Sequence, residues 1–573
     1  MKKNLFIFFS LFIIIYFFTY GFLNTFFQQD EWNGFGLIIN LSHQPIWAWF
    51  NMLTSQHLIP LTALSWLLLY KIFGFQAQYY VLMALILHTL AAFLVYQLTK
   101  NLSKNTMVGL LAALFFITNA RASTGFIHLA VFLNTISCLI LILLFFLYLE
   151  KIIKKKIYEK KDAFILLTIF ISAVLFREDA LVLIPLLLVY VFIYDKKALI
   201  RKNISFFVIF YFVTFAFFIF RFTMQILNPI ALDVSNKAYL NTYLYNAVTF
   251  PVKLVVQNLI DGYYVLLMFI YEHHQFLYPI EITPDIINWI LLDFMFLIVF
   301  MIIIVIGYIF TRKINELSFW KNIYFFVFWI LIDAALLASI GRRMNIIEER
   351  YLYISSVGVF FIFSLFLVEV YKSRSSIQII SIIKKIGVLV VIFGLLITSY
   401  LRLQAYIKKA QTIGSASRQV LSDIKKLHPT IPRDTIFFVR CSKTCYRNGE
   451  FGLPNDIVLP FSSGPGWIIM LQYAQNNETV YAPFFTRYNG WEYILNTDIN
   501  KYDKVKNKEF LWDYGAEGYR KIGEYSFGYF INKDLLKETL QSNKLNKNIV
   551  IGLEYDEKNF RIKDISNEIR DSL

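Results

Sequence analysis

The stretch FIHLAVFLNTISCLILILLFFLYL, residues 126–149, followed by EKIIKKKIYEKK, residues 150–161, decides the fold. The first part carries no formal charge and exceeds the roughly 20 apolar residues a helix needs to cross a bilayer. The second part crowds Lys151, Lys154, Lys155, Lys156, Lys160 and Lys161 against its end. Cytoplasmic loops carry that excess of Lys and Arg. The pair therefore reads as a transmembrane helix that ends inside the cell.

Working outward, runs of the same kind recur at 4–23, 79–99, 106–120, 162–177, 180–195, 203–222, 286–310, 320–340, 352–371 and 383–401. Lys2 and Lys3 place the start inside. Every second exit is basic: Lys100 and Lys104, the six lysines above, Lys196 to Lys202, Arg312 to Lys321, and Lys372 to Lys385. With eleven spans the positive-inside rule holds throughout, and the tail falls outside. The apolar stretches Leu58 to Phe73 and Val252 to Ile270 do not fit this alternation. They read as outer-surface elements lying along or dipping into the membrane. No small-residue cleavage site follows the first run, which reads as an uncleaved helix.

The expected fold is thus a polytopic α-helical membrane protein of about 11 transmembrane helices with a C-terminal soluble α/β domain. Residues 1–402 would form the membrane domain, with a first outer loop at 24–78, and 403–573 an extracytoplasmic domain. The localisation that follows is a multi-pass cell-membrane protein with a cytoplasmic N-terminus. Composition agrees: 58% of residues are hydrophobic and 16% charged, against about 45–50% and about 25% in soluble chains. The net charge of +16 sits largely in the inner loops, and no nucleic-acid motif accompanies it. In the tail, Thr435 to Arg440 and Asn548 to Leu553 are β-rich, and Lys533 to Asn543 reads as a short helix. Cys138 reads as packing, whereas Cys441 and Cys445 could pair in an oxidising compartment.

Chemistry is concentrated on the outer side. Asp30 and Glu31 follow the first span; then come His57-Leu-Ile-Pro60-Leu61, an apolar helix ending Phe73-Gly74, and a span with His88 near its middle. Much later stands Glu349-Arg350-Tyr351-Leu352-Tyr353-Ile354-Ser355-Ser356-Val357-Gly358. In that order these features resemble the membrane glycosyltransferases of the GT-C superfold. The stretch from His57 to Leu98 is similar to the protein O-mannosyltransferases whose tails carry tetratricopeptide repeats, and the later segment resembles their E-R-Y-L-Y-x-P-S-x-G motif. This chain has Asp-Glu where those enzymes usually have a double Asp, Ser355 in place of the Pro, and no tetratricopeptide pattern.

The resemblance implies a sugar donor carried on a polyprenyl phosphate, a glycan, lipid or protein acceptor, and transfer at the outer face of the membrane by a hexosyl- or pentosyltransferase. Asp30 would be the catalytic base and Glu31 its assistant. Arg121, Arg177, Arg342, Arg343 and Arg350, all on outer turns, would bind the donor phosphate; an arginine there is costly and the positive-inside rule does not explain it. For Arg177 the competing reading is an ion pair with a neighbouring acid such as Glu178. His57, His128, Glu349 and Tyr351 would contact the acceptor or the sugar. Members differ in their need for a divalent cation (Mg or Mn), which one Asp-Glu pair leaves open. Glu272-His273-His274 reads poorly as a metal site, since adjacent histidines do not share one helix face. Leu511-Trp512-Asp513-Tyr514-Gly515 is like the W-W-D-Y-G signature of oligosaccharyltransferases but lies deep in the tail, and reads as a chance match. Trp467, Trp491 and Trp512 read as core packing before sugar stacking. Two rivals stand beside the transferase: an oligosaccharyltransferase or O-antigen ligase, and a non-enzymatic transporter or flippase of lipid-linked sugar. Apart from Asp333, the outer-rim placement of charge favours surface chemistry over transport.

Overall fold

The computed structural model describes residues 2–27, 60–120, 132–155, 159–194, 237–259, 317–338, 351–373, 378–432, 434–440, 518–522, 525–530, 532–556 and 559–573, with isolated positions at 31, 32, 34, 35, 38, 129, 210–212, 214–216, 219, 297, 298, 300–302, 347, 469, 472 and 473. Among the described residues, eleven helices of ten residues or more precede or enter the tail: α1 Lys2–Phe18, α2 Pro60–Phe73, α3 Ala77–Ser103, α4 Thr106–Thr118, α5 Phe132–Lys155, α6 Lys160–Phe176, α7 Leu183–Tyr194, α8 Lys237–Leu259, α9 Leu317–Ala338, α10 Leu352–Lys372 and α11 Gln378–Leu427. Five of them, α3, α5, α9, α10 and α11, are long and apolar enough to cross a membrane among the described residues. The expected spans 203–222 and 286–310 fall mostly outside those residues. A membrane protein follows from these helices; eleven crossings and the sides of the termini stay expectations.

The chain divides into two compact units: Met1–Tyr20, Leu53–Thr62 and Val81–Tyr406 form the first; Gly21–Met52, Ala63–Tyr80 and Ile407–Leu573 form the second. In the first unit, α9 and α10 approach closely because Gly358 has no side chain: a Cβ there would stand 3.2 Å from the carbonyl of Phe326. Small residues at helix contacts are how membrane helices gain packing without a hydrophobic drive. Trp329 Nε1 donates to the Ile354 carbonyl across the same contact, 3.0 Å. Outside the bundle, Phe9, Ile13, Phe164, Phe192, Val248 and Phe393 are exposed, as residues facing lipid are.

Helix α8 differs from the expectation of an outer element at Val252 to Ile270: it begins well before, at Lys237. Leu240, Leu244 and Val248 face outward, while Asn246, Lys253, Gln257 and Asn258 are buried. A soluble helix is patterned the other way round. In lipid, the polar stripe turns toward protein.

The second unit contains a five-stranded mixed sheet: β1 Asp434–Arg440, β2 Gly518–Ile522, β3 Tyr525–Phe530, β4 Val550–Asp556 and β5 Arg561–Asp564, in the order β2-β3-β1-β4-β5. The central β1 runs parallel to β3 and to β4, and the outer pairs are antiparallel. One face packs Ile436, Phe438, Phe530 and Val550 against Leu536 and Leu540 of α12 (Lys533–Ser542) and Ile569 of α13 (Ser566–Ser572). On the other face Phe437 stacks on Tyr473, whose hydroxyl donates to the His428 carbonyl. The strands and the helix expected at 435–440, 548–553 and 533–543 are therefore present. The polar end of α11 caps the sheet edge: the buried Asp423 carboxylate accepts from Arg561 Nε at 2.7 Å and from the Ile562 amide at 3.2 Å.

Candidate functional site

In the second unit the segment after α1 is held from two sides. Along α11, Gln411 Nε2 donates to the Gly21 carbonyl at 2.6 Å and Arg418 to the Thr25 carbonyl at 3.1 Å. Gly414 lets the two chains touch, since a Cβ there would sit 2.6 Å from the Phe26 amide nitrogen. Opposite lies an aromatic cluster at the end of α2. Trp32 packs on Phe27, Phe35 and Phe75, with centroids 5.4–5.9 Å apart, and Phe35 packs on Trp66 and Tyr80. Helix α2 stops because Gly74 takes a left-handed φ of 54°, the usual exit for a residue without a Cβ; the Gly74 carbonyl then accepts from the Tyr80 hydroxyl, 2.9 Å. The Phe73-Gly74 ending and the acidic segment so belong to one packed body. Glu31 is buried beside Trp32 in it.

In the first unit, Arg177 caps the C-terminus of α6 and begins a 3-10 turn, Glu178–Val182. Its Nε lies 2.5 Å from Asp179 Oδ2, its side chain only 12% exposed. It also donates to Thr135 Oγ1 of α5 and lies 5.8 Å over the Tyr351 ring. Arg177 and Tyr351, two residues singled out from the sequence, are therefore neighbours, and the acid that pairs with Arg177 is Asp179. The charges of Arg177 and Asp179 also act on Asp333 of α9, which is buried and whose Oδ2 has no hydrogen-bond partner among the described residues.

A second junction lies deeper. His88 Nδ1 is 2.7 Å from the Tyr353 hydroxyl, and Nε2 is 3.1 Å from the Ile117 carbonyl. A carbonyl only accepts, so a neutral ring carries its proton on Nε2 and Nδ1 accepts from Tyr353. The mid-helix histidine of α3 and the second tyrosine of the Glu349–Gly358 segment thus meet directly.

A third junction was not foreseen. Asn119, at the end of α4, donates to the Asn258 carbonyl at 3.1 Å and to its Oδ1 at 3.3 Å. Gln257 accepts from the Ile347 amide at 3.3 Å and donates to the Ile347 carbonyl at 3.4 Å. Polar residues inside otherwise apolar helices were the available signal.

Asp30, His57, Arg121, His128, Arg342, Arg343, Glu349 and Arg350 lie outside the described residues, as do Glu272-His273-His274, Cys441, Cys445, Trp467, Trp491 and Trp512. Among the described residues no three of His, Cys, Asp or Glu gather as metal ligands would.

No family model matches the chain. No curated protein matches it either. Among solved structures, the oligosaccharyltransferase of Archaeoglobus fulgidus, tethered through a disulfide bond to an acceptor peptide containing the NVT sequon, is similar at 15% identity and a TM-score of 0.41. The likeness covers 75% of this chain and 61% of that one, less than two thirds of its length. A TM-score of that size does not establish a shared fold.

Proposed function

We propose that the chain is a GT-C-like membrane glycosyltransferase that moves a sugar from a polyprenyl-phosphate donor to a glycan, lipid or protein acceptor at the outer face of the membrane. One observation carries this reading. The two sequence stretches that resemble the O-mannosyltransferases, far apart in the chain, converge at the 2.7 Å contact between His88 and Tyr353. The pairing supports reading the two stretches as parts of one architecture.

In this reading the Asp30 carboxylate takes the proton of the acceptor hydroxyl as its oxygen attacks the anomeric carbon. The bond from that carbon to the phosphate oxygen breaks, and the lipid phosphate leaves with the electron pair. Arg121, Arg342, Arg343 and Arg350 offset the developing charge by bidentate hydrogen bonds. Glu31, buried beside Trp32, assists Asp30 in this scheme. Arg177 contributes less free charge, because Asp179 already meets it; Tyr351 stays within its reach, and Glu349, His57 and His128 are assigned to contact with acceptor or sugar. A Mg or Mn ion at the acidic pair is compatible with this scheme but not required by it. The outer location of the tail and the hexosyl or pentosyl nature of the sugar belong to the same proposal.

Membranes containing the chain, supplied with radiolabelled polyprenyl-phosphate sugars, test the reading. It expects label to leave the lipid and appear on an acceptor. Label that crosses the bilayer still attached to its lipid would favour the flippase instead.

A further inference from the structure

In the second unit one stripe of α11 faces the chain that leads to Glu31. Gln411, Gly414 and Arg418 are three and four residues apart and so share a helix face. Gln411 and Arg418 stand two turns apart, about 10.5 Å along the axis. Their donors close on the Gly21 and Thr25 carbonyls, at the two ends of the 3-10 turn Phe22–Asn24. Between them Gly414 meets backbone: a Cβ there would stand 2.6 Å from the Phe26 amide nitrogen and 3.2 Å from its Cα. A glycine weakens a helix interior relative to alanine. Gly414 has no left-handed φ to justify it; the close approach of Phe26 does.

Aromatic rings carry the contact onward. The Arg418 guanidinium lies 5.3 Å over the Phe26 ring. Phe26 and Phe27 pack on Trp32 with centroids 5.9 and 5.6 Å away. Trp32 is fully buried and follows Glu31, which is buried as well. A close-packed interior transmits displacement, so the seat of Phe26 on α11 sets the depth at which Glu31 stands.

We infer that Gly414, Gln411 and Arg418 are positioning residues for the acidic segment: they seat the chain ahead of Glu31 against α11 at the depth that transfer needs. The inference rests on the proposed function, in which Glu31 assists the catalytic base. None of the three touches substrate. Ordinary contact for a Cβ begins at 3.4 Å, so a methyl group at 414, now 2.6 Å from the Phe26 nitrogen, parts the two chains by about 0.8 Å. A catalytic group tolerates roughly 0.5 Å.

The test uses the full chain in proteoliposomes, with radiolabelled undecaprenyl-phosphate hexoses and pentoses as the donor panel. Gly414→Ala is expected to lower kcat about ten- to a hundredfold, with KM for the donor within about twofold. Arg418→Met, which removes one clasp without adding bulk, lowers kcat by about three- to tenfold, and Arg418→Lys, which keeps a charged donor, restores part of the rate. It serves in place of Gly414→Ala should that variant fail to fold. Each measurement is repeated in a Glu31→Gln background, where residues that act through Glu31 cost no more than about twofold. A purely structural role would cost the same in both backgrounds. Equal losses in both, a wild-type rate for Glu31→Gln or for Gly414→Ala, or a raised donor KM with kcat unchanged overturns the inference and leaves the proposed activity standing. A wild type that moves no sugar from any donor of the panel refutes the proposed function, and the inference with it.

Discussion

Tyr353→Phe removes one oxygen and keeps the ring. In the native structure that oxygen donates to His88 Nδ1 at 2.7 Å, deep in the first unit where both side chains are fully buried. The Phe ring retains its contact with Phe116, whose centroid is 5.2 Å away, so packing changes little. What is lost is the O–H that the imidazole accepts, with the other nitrogen still committed to the Ile117 carbonyl. Withdrawing a partner from a buried polar atom costs about 1–3 kcal/mol. Replacing both partners costs less than the two single losses together, because neither the hydroxyl nor Nδ1 is then left without the other, although the Ile117 carbonyl still loses its donor. The double variant His88→Phe/Tyr353→Phe should therefore be more stable than the sum of the two single losses predicts, by about 1 kcal/mol or more. Equilibrium unfolding in mixed micelles, run as a double-mutant cycle, reads this. Additivity within about 0.3 kcal/mol would refute the reasoning, because it would mean the two groups do not interact.

Three further outcomes follow from the second unit. Asp423→Ala strips the acceptor from Arg561 and from the Ile562 amide, and thermal unfolding of the tail should register a loss of about 1.5–3 kcal/mol. Gly552→Ala pushes a Cβ to 2.9 Å from Ile569 and 3.0 Å from the Ile565 carbonyl, with an expected loss of about 1–3 kcal/mol by overpacking; a neutral result would show that α13 yields. Burial, opposed by the Asp564 carboxylate 3.1 Å away, leaves the His428 imidazole below its ordinary pKa. The unfolded chain then binds the proton more readily, so stability present at pH 7.5 is lost as pH falls through about 6.5. Melting curves at pH 7.5 and 5.5 should show that loss in the wild type and a smaller one in His428→Gln.

The apolar helices were legible because lipid demands long, nearly uncharged runs, and Phe132–Lys155 and Leu352–Lys372 lie where such runs were read. Helix α11 was legible only to residue 401. There the composition turns polar, yet the helix continues to Leu427: most of Arg402 to Lys426 are good helix formers such as Gln, Ala, Lys and Arg, so the surroundings change and the backbone does not. Helix α8 was hidden by the residues that make it informative, since Asn246, Lys253, Gln257 and Asn258 interrupt the apolar pattern. Strand β3 had no alternation to reveal it: Ser526 to Phe530 are all buried, so both faces are covered. Pairings such as Gln257 with Ile347 join residues 90 apart, and no local pattern encodes a contact at that distance. Arg177 shows the opposite case. Its nearby acids were visible, but Asp179 wins over Glu178 for the ion pair through the turn geometry of Glu178–Val182.

The account as a whole stands on a carboxylate that activates the acceptor. Its most direct test is the initial rate of sugar transfer by purified chain in proteoliposomes, donor in excess, for the wild type and for Asp30→Asn. Loss of a general base predicts a rate lower by about a hundredfold or more, with donor binding retained. Transfer by Asp30→Asn at the wild-type rate would contradict it.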